Sequence, residues 1–165
     1  MELLSAIGIA NEITEIINPY CKRIEIAGST RREKPIVHDL ELVAIPNNLN
    51  TLKNKLGIYL MGQPGANKSK PFTKAGDKYI QFNYKSEQVD LFLASENNWG
   101  LIYLIRTGSA EFSASMLARW KKVSGGGYSE HGYLHKPNGE RLITREEIDF
   151  FNLCNMKFVE PQFRS

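Results

Sequence analysis

The spacing of apolar residues changes along this 165-residue chain, and that change limits what it can fold into. Over roughly the first 95 residues, short runs alternating polar and apolar side chains are interleaved with helical periodicities; from Trp99 onward, spacings of three and four dominate. Strands mixed with helices, then a mainly helical stretch, describe an α+β fold: a mixed or antiparallel sheet with flanking helices over 1–96 and a smaller unit over 97–165. Composition agrees, since 42% hydrophobic and 24% charged residues exclude a disordered or fibrous chain. The length suffices to bury a core without covalent staples.

Leu3, Leu4, Ile7, Ile9, Ile13, Ile16 and Ile17 predict an amphipathic helix that stops before Pro19. Lys22–Ala27 alternates as a half-buried strand does and runs into Gly28-Ser29. His38–Ile45 reads as a second strand, with Leu40, Leu42 and Ala44 on one face and Asp39, Glu41 and Val43 on the other. Asn47–Gly57 suits a short surface helix, and Met61–Gly76, rich in Lys, Gly and Pro, a basic loop. Lys78–Tyr84 and Gln88–Ala94 form the arms of an expected antiparallel hairpin. Trp99–Ile105 and Phe112–Trp120 have helical periodicity, with Ser109 placed to cap the second. Tyr128–Arg141 holds a Pro137-Asn138-Gly139 turn between two extended segments, and Thr144 with Glu147 matches a capping box opening a last helix.

Charge decides little: twenty-one Lys and Arg against eighteen Asp and Glu leave +3, which permits a polyanionic partner without requiring one. Cys21 and Cys154 stand far apart, without CxxC or zinc-ligand spacing, so both are expected to be idle thiols in a reducing compartment. No apolar stretch reaches the length of a membrane span, and Glu2 occupies a position where a signal peptide carries positive charge. The expectation is an intracellular, cytoplasmic chain with no membrane partner.

Three features converge on one chemistry: Gly28-Ser29 with Arg31-Arg32 after a strand, Asp39 and Glu41 two apart on the next, and Asp90 on a later one. A Gly-Ser turn leaves backbone N–H groups free and lets a phosphate approach closely. Arginine adds a bidentate fork for phosphate oxygens. Residues two apart on a strand point the same way, so Asp39 and Glu41 can converge with Asp90 as hard oxygen donors of the kind Mg²⁺ selects. Two such ions about 3.5 to 4 Å apart can activate a hydroxyl and stabilise leaving pyrophosphate. Singly, each feature has a plainer explanation: an ordinary turn, a solvated basic face, the exposed side of a strand. Their order and combination point to nucleotidyl transfer.

GSTRREKPIVHDLEL resembles the GS-x-R-R … D-h-D-h signature of the nucleotidyltransferase superfamily and, within it, of family X DNA polymerases. QVDLFLA is similar to the strand bearing that family's third carboxylate, LIYLIRTGSAEFS to its thumb TGS segment, and REEIDFFNLCNMKFVEPQFR to its closing h-x-P-x-x-R segment. The resemblance covers nearly the whole chain. It implies a nucleotidyltransferase palm over 1–96 and a mainly helical thumb over 97–165. It further implies that Asp39, Glu41 and Asp90 hold two Mg²⁺ ions, for which Mn²⁺ can substitute, with Asp90 beside the primer 3′-hydroxyl. Gly28, Ser29 and Arg32 would hold the triphosphate, and Thr107 and Gly108 would lie against the nucleotide's sugar and base. Glu130 matches a polar thumb position near the nascent pair; His131 beside it, and Lys74 and Lys78 near the basic loop, complete the expected DNA contacts. The implied partners are primer/template or gapped DNA and a dNTP, the implied reaction dNMP addition, as in gap-filling repair, by a monomer.

The departures are specific. Glu41 stands in place of an Asp and reaches one methylene further, about 1.5 Å. Ile105-Arg106 replaces an aromatic pair that discriminates against ribose, Ala110 a side chain that packs on the base, and Gln88 a basic neighbour of the third carboxylate. With one helix ahead of the first strand, the chain matches the palm-plus-thumb minimum of compact viral relatives, and no lyase activity is expected. A nucleotidyltransferase acting on RNA or a protein side chain, and a nucleic-acid-binding relative without turnover, remain the alternatives.

The remaining residues receive plainer readings. His38 is expected to be a solvated residue at a strand edge, and His131 and His135 do not make a metal site without a third ligand. Trp99, Trp120 and Phe112 are expected in the core. Phe72, Tyr79 and Tyr84, interleaved with lysines, are expected to pack on the sheet rather than to stack on bases.

Overall fold

The computed structural model describes residues 1–165. Helix α1 (Leu3–Ile17) leads through a 3₁₀ turn into β1 (Cys21–Ile26), a short helix α2 (Gly28–Arg31), β2 (Leu40–Pro46) and α3 (Leu49–Met61). After a loop come β3 (Lys74–Ala75), β4 (Tyr79–Tyr84) and β5 (Glu87–Leu93), then α4 (Trp99–Thr107) and α5 (Ala110–Val123). Strands β6 (Tyr128–Glu130), β7 (Tyr133–His135) and β8 (Arg141–Leu142) precede α6 (Glu147–Leu153) and a closing 3₁₀ turn, Pro161–Phe163. This is the expected α+β class. No helix is long and apolar enough to cross a membrane.

Five strands form one mixed sheet in the order β1-β2-β5-β4-β3, antiparallel throughout except that β2 and β5 run parallel. Alternation divides its faces. Leu40, Leu42, Ala44, Ile80, Phe82, Val89 and Leu91 pack under Ala6, Ala10, Ile13 and Ile17 of α1 and Leu52, Leu56 and Leu60 of α3. On the other face, Val43 and Ile45 are covered by Trp99 and Tyr103 of α4. Farther along this second face come Glu41, Asp90 and Gln81. The β4–β5 hairpin turns on Lys85-Ser86, both at positive φ (51° and 67°), as a two-residue loop matched to strand twist requires.

The C-terminal elements have their own core of Leu101, Leu104, Met116, Trp120, Leu134, Phe150, Phe151 and Cys154. It is less helical than expected, because Tyr128–Arg141 makes a three-stranded sheet, β6-β7-β8, rather than two extended segments about one turn. Trp99 and Trp120 are buried as expected, whereas Phe112 is half-buried at the edge of this core.

Local differences have local causes. The basic loop is shorter than expected, because α3 continues to Met61 and β3 pairs with β4. Thr144 does not cap α6: that helix starts after Glu146, whose N–H donates to Asp149 Oδ2 at 2.9 Å. Thr144 instead caps α4 from across the chain, its carbonyl accepting from Gly100 N–H (2.8 Å) and its hydroxyl from Leu101 N–H (3.1 Å). Both cysteines are free thiols, Cys154 buried and Cys21 half-buried, with burial pushing the Cys21 thiol up to about 11.

Candidate active site

Strand β1 delivers Gly28 at φ +60°, a left-handed conformation that favours glycine. The turn is fastened to β2, since Ala27 N–H donates to the Glu41 carbonyl at 2.8 Å. A Cβ on Gly28 would overlap the Glu41 carboxylate, so glycine here makes room for the longer acid. The first bonds within the following helical turn come from Arg31 and Arg32 N–H to the carbonyls of Ala27 and Gly28. The N–H groups of Gly28 and Ser29 are left for another acceptor, and the Ser29 side chain is half-buried.

The parallel register pairs Glu41 on β2 with Asp90 on β5, and Asp90 faces Gln81 on its other side. Asp39 lies one residue before β2 starts, because the strand begins at Leu40 rather than His38. Burial, then the negative charges of Asp39 and Asp90, push the Glu41 carboxyl up to about 7, against the opposing pull of Arg32 and Arg106. Asp90 is 7% exposed, and its oxygens accept from Tyr79, Gln81 and Gln88. Burial and the bond to Asp90 push the Tyr79 hydroxyl up to about 12.

In charge and donor type, Asp39, Glu41 and Asp90 suit a hard divalent cation. Yet no group of three His, Cys, Asp or Glu side chains is gathered in a way that could hold one. Glu41 lies against Gly28, while Asp90 accepts from Tyr79 and Gln81 of β4, on the other side of β5 from β2.

Arg32 donates to the Thr107 carbonyl, while its Nε is buried without a partner. It lies against Gly108, where a Cβ would stand 2.9 Å from Arg32 Nη1. The Gly28-Ser29 turn and the Thr107-Gly108 turn are therefore linked through this guanidinium. Thr107 is fully buried and its hydroxyl accepts from Arg31 Nη1 at 2.7 Å, so it fixes the turn. Gly108, at φ +71°, ends α4, and the Ser109 hydroxyl caps α5 by accepting from Phe112 N–H at 3.2 Å.

Sequence reasoning missed the arginine pair behind this site. Glu147 is held by Arg31 at 2.8 Å through both oxygens and by Arg164 at 2.8 and 3.3 Å. Burial alone would raise the Glu147 carboxyl, but the bonds from Arg31 and Arg164 outweigh it and hold the group below the usual carboxylate range. The signal was the arginine closing the P-x-x-R segment, which is fully buried beside α6. Also unforeseen was a row of rings and cations bordering the carboxylates: Arg106 lies 4.0 Å over Phe92, Phe92 stacks on Tyr79 at 5.1 Å, and Lys74 lies 5.5 Å from the Tyr79 ring.

The other expected contacts are scattered. Lys78 is exposed just before β4. Glu130 and His131 are exposed at the β6–β7 turn, His131 at φ +52°, in the second sheet. His38 is exposed and His135 is buried, the latter stacked on Tyr128 at 5.0 Å. Tyr84 and Phe72 pack with the main core, as expected.

No protein-family model matches the sequence, and no curated protein matches it either. Among solved structures, the chain is similar to polymerase beta of Leishmania infantum in a ternary P/T complex, at TM-score 0.78 and 17% identity. The likeness covers all of this chain and 76% of that one. The fold is thus polymerase beta-like.

Proposed function

We infer that the protein is a family X-type DNA polymerase in palm-plus-thumb form, adding dNMP from dNTP to a primer 3′-hydroxyl as in gap-filling repair. The observation that carries this reading is the meeting of Glu41 with the Gly28-Ser29 turn on one side and, in register, with Asp90 on the other. In this reading the Gly28-Ser29 turn is the phosphate cradle and Asp39, Glu41 and Asp90 the acid array, and nucleotidyl transfer needs both.

In this reading, Gly28 N–H, the Ser29 N–H and hydroxyl, and the Arg32 donors not engaged by Thr107 bind the triphosphate. The primer 3′-oxygen attacks the α-phosphorus, the bond to the bridging oxygen breaks, and pyrophosphate leaves. Asp90 receives the hydroxyl proton: Oδ1 has two donors and Oδ2 one, so Oδ2 keeps a lone pair. Asp39, Glu41 and Asp90 would hold two divalent ions, which when bound supply polarisation of the attacking oxygen and neutralisation of the leaving group. Lys74 and Arg106, flanking the ring row, offer phosphate contacts to the nucleic-acid strand.

The engagement of Asp90 on the β4 side favours one second reading, a relative that binds gapped duplex without turnover. Extension assays with gapped duplex and with blunt single strand, using each dNTP and rNTP with Mg²⁺ or Mn²⁺, separate the two. dNMP incorporation on the gapped duplex supports the polymerase. Salt-sensitive binding without incorporation supports the second reading.

A further inference from the structure

Asp90 is the one carboxylate of the three that hydrogen-bond donors already surround. Its Oδ1 accepts from the Tyr79 hydroxyl at 2.6 Å and from Gln81 Nε2 at 2.9 Å, and its Oδ2 from Gln88 Nε2 at 3.1 Å. A carboxylate oxygen has two lone pairs, so Oδ1 is filled. Tyr79 and Gln81 belong to β4 and Glu41 to β2, on opposite sides of β5, so these bonds hold Asp90 from the flank opposite Glu41. Glu41 and Asp90 are thus partners in register, with Asp39 just before β2, yet the three do not form a metal-holding group.

We propose that Tyr79 and Gln81 are positioning residues that compete with a divalent cation for Asp90, so that Oδ1 joins Asp39 and Glu41 only when the cation displaces the Tyr79 hydroxyl. The inference rests on the metal-centre reading above. The Tyr79 hydroxyl is held independently of Asp90: its ring stacks on Phe92 with planes 20° apart, Lys74 lies over it, and Gln81 Nε2 donates to its oxygen at 2.8 Å. It therefore stays in place to recapture the carboxylate. A hydrogen bond to an ionised acceptor is stronger than a neutral one, so breaking it weakens cation binding, and deleting the donor removes that cost.

The test is a Mn²⁺ titration of the nucleotide-free protein, followed by water proton relaxation, on the wild type, Asp39→Asn, Tyr79→Phe, Asp90→Asn and the Tyr79→Phe/Asp90→Asn double variant. Tyr79→Phe should bind Mn²⁺ roughly tenfold tighter, the equivalent of one charge-assisted hydrogen bond. Asp90→Asn and the double variant should bind alike. Gln81→Leu should also tighten binding, and it carries the same expectation if Tyr79→Phe does not fold. Unchanged or weaker binding by Tyr79→Phe, or tightening that persists without Asp90, overturns the proposal while wild-type binding still depends on Asp39. Mn²⁺ bound by neither the wild type nor Tyr79→Phe overturns the metal-centre reading, and this proposal with it.

Discussion

The Glu41 carboxylate fills the space that a β-carbon on Gly28 would need. Two strands thus meet at one point, and the glycine serves twice, in its left-handed conformation and as the floor under the acid. Gly28→Ala should lower stability by about 1 to 2 kcal/mol from the left-handed backbone alone, with displacement of Glu41 added. Thermal unfolding measures the first effect. The second appears as lost Mn²⁺ affinity, which a purely conformational penalty would leave unchanged.

Glu147 joins α2 to the end of the chain through Arg31 and Arg164. Glu147→Gln leaves both guanidinium groups without their counter-charge and should cost about 3 kcal/mol or more. Because the folded carboxyl is held below its unfolded value, the folded state binds fewer protons in the acid range. Its stabilisation is complete above the unfolded pKa and is lost as pH falls through the folded one. Urea unfolding of wild type and variant should show a constant gap near neutrality that closes in acid. A gap that does not change with pH would contradict this account.

Much of the fold was legible because strands and helices here keep clean periods. Leu40, Leu42 and Ala44 alternate against Glu41 and Val43, and α1 carries its apolar residues at helical spacing. The Gly28-Ser29 turn after β1 was legible because glycine there serves local geometry. What was hidden depends on long-range partners. Thr144 looks like a local cap yet bonds α4, more than forty residues earlier in the chain. Thr107, in a motif that points to ligand contact, is turned inward by Arg31. Nothing in the spacing of Asp90 revealed that Tyr79 and Gln81 claim it.

Thr144 gives a direct check of that hidden cap. Thr144→Val keeps the shape and deletes the acceptor for the buried Leu101 N–H, so it should destabilise by about 1 to 2 kcal/mol. Hydrogen exchange should quicken at Leu101, with α1 unaffected. Exchange unchanged at Leu101 would show that the cap contributes nothing.

Arg32 supports the Thr107 carbonyl and, in the proposed function, the triphosphate. Arg32→Lys retains the charge but loses the fork, and should weaken dNTP binding roughly tenfold. Isothermal titration with a dNTP measures this. Full affinity in the lysine variant would remove Arg32 from the phosphate cradle.

The central claim is that Asp39, Glu41 and Asp90 act together on a nucleotide bound at Gly28-Ser29. Single-nucleotide extension of a gapped duplex in Mg²⁺, wild type beside Asp39→Asn, tests it most directly. We expect wild-type extension that chelation abolishes and a loss in Asp39→Asn of about a thousandfold or more, as removal of a group acting in the transition state requires. Extension by Asp39→Asn at the wild-type rate would contradict the account.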